Sequence, residues 1–158
     1  MFTASTEDPG AIRMCRSAEL GTRANWSNTM AAKILVTDDE PDVVNTIAHC
    51  LRMEGFEVVT ATDGLEALDV VCREKPDLVI LDVMMPKENG YRVSRKIKEY
   101  AELGLFDKQI RTIILTGRVL DESSREELFL EYSHADCVMN KPFDMDALIA
   151  KVMELLAA

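Results

Sequence analysis

A fivefold alternation of short apolar runs and longer amphipathic segments, beginning at Lys33, is the feature that most constrains the fold of this chain. The apolar runs are rich in Val, Ile, Leu and Thr, as is typical of strands that are buried on both faces of a sheet. They lie at Ile34–Thr37, Glu57–Ala61, Leu78–Leu81, Thr112–Leu115 and Cys137–Met139. Strands that alternate with helices predict right-handed βαβ units, and therefore an α/β fold with a doubly wound, five-stranded parallel sheet and helices on both faces.

Helical segments separate these runs, and their ends carry local signals. Pro41 stands at a favoured first helical position, and Ser123 and Ser124 each have a Glu three residues on, as in a capping box. The five predicted helices open at Pro41, after Asp63, after Gly90, at Ser123 or Ser124, and at Asp144. In the second of them the apolar spacing predicts an inward face made of Leu65, Leu68, Val71 and Cys72.

The first 32 residues differ from the rest of the chain, because they mix Thr, Ser, Pro, Gly and Arg without a sustained period. We expect residues 1–32 to be an N-terminal tail, either flexible or a non-native extension, and residues 33–158 to form one domain. The acidic and basic residues of the tail cancel, so the net charge of −10 belongs to residues 33–158. A domain this acidic repels phosphate backbones, which argues against direct binding to nucleic acid.

The apolar runs, the N-terminus and the cysteines of the chain predict a cytoplasmic protein. The chain has no apolar run long enough to span a membrane and no secretory signal, so we expect no membrane association. Its four cysteines, Cys15, Cys50, Cys72 and Cys137, have neither CxxC pairing nor metal-ligand spacing. We therefore expect small buried apolar side chains in a reducing compartment.

Charged residues follow three of the predicted strands. Asp38 and Asp39 follow the first, Asp82 follows the third, and Lys141 follows the fifth. The carboxyl ends of parallel strands share one edge of the sheet, and in open α/β sheets ligands bind at that edge. Carboxylates that repel one another favour a cation, and oxygen ligands of this kind suit Mg²⁺. One carboxylate in such a site can act as a nucleophile towards phosphorus.

Four motifs, taken in order, resemble the response-regulator receiver domain of two-component signalling, and the resemblance covers Lys33 to Ala158. They are Ile34-Leu35-Val36-Thr37-Asp38-Asp39-Glu40, Asp82-Val83-Met84-Met85-Pro86 with Gly90, Leu115-Thr116-Gly117, and Lys141-Pro142-Phe143. The resemblance implies a flavodoxin-like strand order, 2-1-3-4-5. It also implies a cis peptide bond between Lys141 and Pro142.

The resemblance assigns a role to each site residue. Asp82 matches the phospho-acceptor. Asp38 and Asp39 match the acidic pair that holds Mg²⁺, together with Asp82 and the backbone carbonyl of Met84. The Thr116 hydroxyl matches the group that hydrogen-bonds the phosphoryl oxygens.

Lys141 matches the lysine that pairs with a phosphoryl oxygen. The family usually has Tyr or Phe three residues before that lysine, whereas this chain has Val138.

The function implied is a stand-alone receiver, present as a monomer or weak dimer. It accepts a phosphoryl group from a histidine kinase or a phosphotransfer protein, and signals by binding an unknown protein partner or by passing the phosphoryl group on. It is not an enzyme, since it promotes only its own phosphorylation and dephosphorylation. Two alternatives remain: a degenerate receiver that acts as a docking scaffold, and an aspartyl-phosphate phosphatase. The phosphatase needs a second acid two residues after its nucleophile, where this chain has Met84.

Overall fold

The computed structural model describes residues 31–117, Leu128 and residues 131–157. Within these ranges, five parallel strands form one sheet in the order β2-β1-β3-β4-β5, which confirms the expected order. The strands are β1 (Lys33–Thr37), β2 (Glu57–Ala61), β3 (Leu78–Asp82), β4 (Arg111–Thr116) and β5 (Cys137–Asn140). The inner strands β1, β3 and β4 are almost wholly buried, because helices cover both of their faces.

The helices lie where the sequence signals indicate. They are α1 (Pro41–Met53), α2 (Gly64–Glu74), α3 (Gly90–Glu102) and α5 (Met145–Ala157), with α4 before β5 described at Leu128 and residues 131–133. The predicted start of α4 at Ser123 or Ser124 lies outside the described residues. The Asp63 carboxylate caps α2 by accepting from the Glu66 amide, and the Asn89 side chain caps α3 in the same way. No helix in the described ranges is long and apolar enough to cross a membrane.

Alternate residues of the central strands point into two apolar layers, one on each face of the sheet. Ile34 and Val36 pack in the layer that contains residues of α1 and α5. Leu35 points the other way, into the layer that contains residues of α2 and α3. This arrangement confirms a doubly wound sheet with helices on both faces.

Two expectations about α2 and the cysteines are wrong. Leu65 is 52% exposed and Cys72 is exposed as well, because α2 packs on the sheet through Ala67, Leu68, Val70 and Val71. The buried face of α2 is therefore rotated away from Leu65 and Cys72, which lie at its solvent-exposed border. Of the three cysteines described, only Cys50 is buried, while Cys137 is half-buried on the edge strand β5; Cys15 lies outside the described residues.

Candidate functional site

The carboxyl edge of the sheet brings together residues that are far apart in the chain. Thr37 pairs with Leu81, and Thr116 pairs with Asn140, so the ends of the inner strands are level. Asp38 comes directly after β1, Asp82 is the last residue of β3, and Lys141 comes directly after β5. Register alone therefore places these three side chains at one edge, as the sequence predicts.

A single ammonium group joins the two buried carboxylates of the site. The Lys141 Nζ lies 2.8 Å from Asp38 Oδ2 and 3.2 Å from Asp82 Oδ1. The Asp38 side chain is 1% exposed and that of Asp82 is 5% exposed, whereas Lys141 retains 23%. Two acids buried this deeply need a cation nearby, and Lys141 provides one.

The surroundings of Asp82 and of Lys141 shift the pKa of each group. Burial and the neighbouring charge of Asp38 raise the pKa of Asp82 to about 6, although Lys141 and the Met84 backbone act in the opposite direction. For Lys141, burial favours the neutral amine, but the hydrogen bond to Asp38 and the charges of both acids outweigh burial and raise its pKa. At neutral pH the site therefore holds ionised Asp82 beside a firmly protonated lysine.

The remaining acids of the site fit a hard cation. Ligand atoms of Asp38, Asp39 and Glu40 all lie within 4.8 Å of one another, with Asp38 buried and the other two exposed. All of these donors are carboxylate oxygens, which Mg²⁺ prefers over nitrogen or sulfur. Asp38 is shared between this group and the Lys141 bridge. Glu40 was not among the metal ligands predicted from the sequence, although its position next to Asp39 could have suggested it.

Thr116 and Met84 border the same edge. Thr116 is fully buried at the end of β4, and its backbone carbonyl accepts from the Lys141 amide at 2.7 Å. Met84 follows Asp82 by two residues and its side chain is exposed, so only its backbone faces the strand end. The peptide bond between Lys141 and Pro142 is cis, as expected.

A shallow groove of about 550 Å³ opens beside the acids, between the start of α1 and the segment that follows β5. Glu40, Asp42, Val43 and Lys141 are among the residues that line it, together with Pro142 and Phe143. The site is therefore accessible from one side, although its central carboxylates are buried.

Comparison with known proteins identifies a matching family. Residues 34–153 match the sequence model of the response regulator receiver domain. The chain is also 38% identical, over 127 residues, to the alkaline phosphatase synthesis transcriptional regulatory protein PhoP of Bacillus subtilis. That alignment covers 80% of this chain and 49% of PhoP, so the chain spans about half the length of this curated relative.

Solved structures give the same result. The response regulator protein TrrA of Thermotoga maritima, in complex with Mg²⁺ and BeF, is 35% identical with a TM-score of 0.66, covering 80% of this chain and 99% of TrrA. The BeF3-activated N-terminal receiver domain of RstA from Klebsiella pneumoniae is 31% identical with a TM-score of 0.68, and the coverage is again 80% and 99%.

Proposed function

The chain belongs to the response regulator receiver domain family, and from this we propose that Asp82 is the residue that accepts the phosphoryl group. As a receiver it is a phospho-accepting signalling domain of a two-component system. The observation that carries the assignment to Asp82 is its position: a buried carboxylate at the end of the central strand β3, ion-paired with Lys141 and adjacent to Asp38.

The reaction forms an acyl phosphate. A carboxylate oxygen of Asp82 bonds to phosphorus while the bond from phosphorus to the donor's imidazole nitrogen breaks, and the nitrogen leaves with that electron pair. Asp82 must be ionised to attack, and with a pKa of about 6 it is ionised at neutral pH yet more basic than an ordinary aspartate. A histidine kinase or a histidine phosphotransfer protein supplies the phosphoryl group, which places the reaction in the cytoplasm.

Asp38 and Asp39 would hold Mg²⁺, with Asp82 and the Met84 carbonyl completing the set. When bound, Mg²⁺ supplies positive charge that neutralises the incoming phosphoryl oxygens. The complex of TrrA with Mg²⁺ and BeF and the carboxylate group at Asp38, Asp39 and Glu40 support this proposal. Lys141 already bridges Asp38 and Asp82, so its ammonium group is in place to pair with a phosphoryl oxygen, and the Thr116 hydroxyl donates a hydrogen bond there.

The output of this receiver is a protein partner, reached by phosphorylation-dependent binding or by onward transfer. PhoP is a transcriptional regulatory protein of which this chain covers 49%, so a longer protein with a second function is the main alternative to a stand-alone receiver. A docking scaffold that no longer accepts phosphate is less well supported, because Asp38, Asp82 and Lys141 meet as phosphorylation requires.

Intact mass spectrometry tests the assignment. Incubation with acetyl phosphate and Mg²⁺ is expected to add the mass of one phosphoryl group to the wild-type chain. Asp82→Asn removes the nucleophile and keeps the side-chain volume, so it should abolish the added mass. The same gain in Asp82→Asn would exclude Asp82 as the acceptor, and no gain in either chain would favour the scaffold.

Asp39→Ala tests the metal. Because Asp39 is exposed, its loss should leave the fold intact while it removes Mg²⁺-dependent phosphorylation. Glu57→Ala, an exposed acid on the edge strand β2, is the control and should phosphorylate as wild type does. Equal Mg²⁺ dependence in Asp39→Ala and Glu57→Ala would contradict the metal assignment.

A further inference from the structure

The loop between β3 and α3, residues 83–89, is held on both sides by charged and backbone contacts. On one side, Lys87 Nζ lies 3.3 Å from Asp63 Oδ2 at the start of α2. On the other side, Glu88 pairs with Arg92 at 3.0 Å and with Lys96 at 2.5 Å, both on α3. The loop is therefore fixed between two helices rather than free at the surface.

Glu88 is the centre of this arrangement, because its side chain is only 9% exposed. A glutamate with so little solvent depends on its two cations, since an unpaired buried carboxylate is costly. The backbone of Glu88 is confined as well. A Cβ added at Gly64 would lie 2.1 Å from the Glu88 carbonyl oxygen, so α2 packs directly on this residue.

The backbone conformation of Lys87 shows why the loop needs stabilising contacts. Its φ of 70° is in the left-handed region, which a non-glycine residue adopts only at a cost in free energy. Contacts on both flanks must stabilise that conformation, and the pairs made by Lys87 and Glu88 are those contacts. We call the five ion-paired side chains around the loop, namely Asp63 with Lys87, and Arg92 and Lys96 with Glu88, the loop clamp.

The loop is also continuous with the phosphorylation site. Val83 and Gly90, at its two ends, are joined by a hydrogen bond from the Gly90 amide to the Val83 carbonyl at 3.2 Å. The Met84 backbone hydrogen-bonds the Asp82 carboxylate, and Gly90 packs against the Asp82 carbonyl. A shift of residues 86–88 would thus move Met84 relative to Asp82.

We propose that Glu88 is a positioning residue that, by pairing with Lys96 and Arg92, fixes the Met84 backbone beside Asp82 in the geometry that Mg²⁺ binding requires. This inference rests on the proposed function, which makes the Met84 carbonyl and Asp82 ligands of the metal. Glu88 itself touches neither the metal nor the phosphoryl group. It acts from the outer shell, where supporting residues set the affinity of a metal site.

Isothermal titration with Mg²⁺ alone tests the role of Glu88. Glu88→Gln is expected to weaken Mg²⁺ binding about tenfold, as loss of an outer-shell partner does. Glu99→Gln is the matched control, because Glu99 is also paired with an arginine one turn away on α3, Arg95, but does not touch the loop. If both variants lose affinity equally, the loss comes from the removed negative charge, and the proposal is overturned.

The double variant Arg92→Gln/Lys96→Gln distinguishes a positioning role of the ion pairs from a long-range electrostatic role, because the two roles predict opposite changes in Mg²⁺ affinity. Removing two positive charges near the site favours Mg²⁺ electrostatically, so a purely electrostatic role predicts tighter binding. Loss of the loop clamp instead predicts weaker binding, again about tenfold. Tighter or unchanged binding in the double variant would overturn the proposal.

Amide hydrogen exchange of residues 84–90 gives a readout that does not depend on metal. Exchange should accelerate there in Glu88→Gln and stay unchanged in Glu99→Gln. This measurement does not need the double variant, so it can be made even if that variant fails to fold. Unchanged exchange in Glu88→Gln would overturn the proposal. Wild-type protein that binds no Mg²⁺ would instead overturn the proposed function, which separates the two failures.

Discussion

At the scale of single residues, one lysine balances two acids that would otherwise repel each other inside the protein. Lys141 spans Asp38 and Asp82, and both acids are almost completely buried. In the metal-free chain this ammonium group occupies the position of the counter-ion. We therefore predict that Lys141 and Mg²⁺ compete for the same carboxylate charge, although both are proposed to act in the phosphorylated state.

Lys141→Met separates these two effects. Without the ammonium group, no cation compensates the repulsion between Asp38 and Asp82, so Mg²⁺ should bind more tightly than in wild type while the metal-free chain becomes less stable. Phosphorylation by acetyl phosphate should still slow, because the phosphoryl oxygens lose their partner. Titration calorimetry and a phosphorylation time course measure the two quantities. Weaker Mg²⁺ binding in Lys141→Met would show that the lysine does not compete.

Asp82→Asn should stabilise the metal-free chain in a pH-dependent way. Burial raises the pKa of Asp82 from 3.8 to about 6, so between these values the folded state binds the proton better than the unfolded state. The contribution of Asp82 to the free energy of unfolding therefore falls as pH rises from about 4 to about 6. Asn removes that loss, and at 1.36 kcal/mol per pKa unit the gain above pH 6 is about 1–3 kcal/mol.

Urea titrations of both chains in EDTA measure this difference. The gap in the free energy of unfolding between Asp82→Asn and wild type should be small near pH 4 and should open towards pH 7. A gap that stays constant with pH, or that closes as pH rises, would show that Asp82 is not the group whose burial is costly.

The residues of the site were largely predictable, because each motif ends a strand and parallel strands end together. Asp38, Asp82 and Lys141 were therefore expected to meet, and they do. Their functional roles as acceptor, metal ligands and phosphoryl partner stay predictions. The Glu88 pairs were not predictable, since a glutamate near a proline turn is more often solvated, and only the packing of α2 and α3 buries it.

At the scale of secondary-structure elements, α3 begins against β3, the strand that ends at Asp82. A Cβ at Gly90 would lie 2.4 Å from the Asp82 carbonyl oxygen, and that neighbour is backbone, which cannot rotate away. The absence of a side chain at Gly90 therefore allows α3 to start directly beside the end of β3. This close approach also fixes the direction in which the Asp82 peptide faces.

Gly90→Ala should consequently destabilise the chain by about 1–3 kcal/mol, as overpacking against a fixed neighbour does. Gly117→Ala is a matched control, because an added Cβ at Gly117 meets no atom within 4 Å. Chemical denaturation of the two variants and wild type measures the difference. Equal stability of the two variants would mean that the start of α3 shifts at little cost.

Patterns predicted the type and order of the elements better than the orientation of each helix. The position of α2 between Asp63 and Pro76 followed from its end signals, yet its inward face was assigned wrongly at Leu65 and Cys72. An eleven-residue helix with apolar residues on more than one side has two plausible stripes, and only contact with the sheet selects one. Val138, which stands where the family usually has Tyr or Phe, is half-buried in β5 beside Ile114.

At the scale of the whole molecule, charge governs association. A net charge of −10 makes two copies repel each other, and opposes non-specific contact with nucleic acid. Among the described residues, the most exposed large apolar side chain is Leu103, at 76%, and Leu105, two residues further on, is 53% exposed. Two leucines form a small patch, and single exposed leucines are ordinary on soluble proteins.

We therefore predict a monomer, or a dimer that dissociates on dilution, for the unphosphorylated chain. Sedimentation velocity at micromolar concentration should give the monomer mass of 17.7 kDa. Leu103→Ser should not change that mass, whereas higher salt should increase any association by screening the repulsion. A dimer that persists at all concentrations and salts would contradict the prediction.

The two apolar layers of the core also decide when each strand becomes buried during synthesis of the chain. β1 is the first of the five strands to be made, yet Ile34 and Val36 pack in the same layer as Leu148 and Val152 of α5, which is made after all five strands. β1 also lies between β2 and β3, both translated after it. β1 is therefore fully covered only after α5 has been made, so we expect a nascent chain that stalls before α5 to expose β1 to chaperones and proteases.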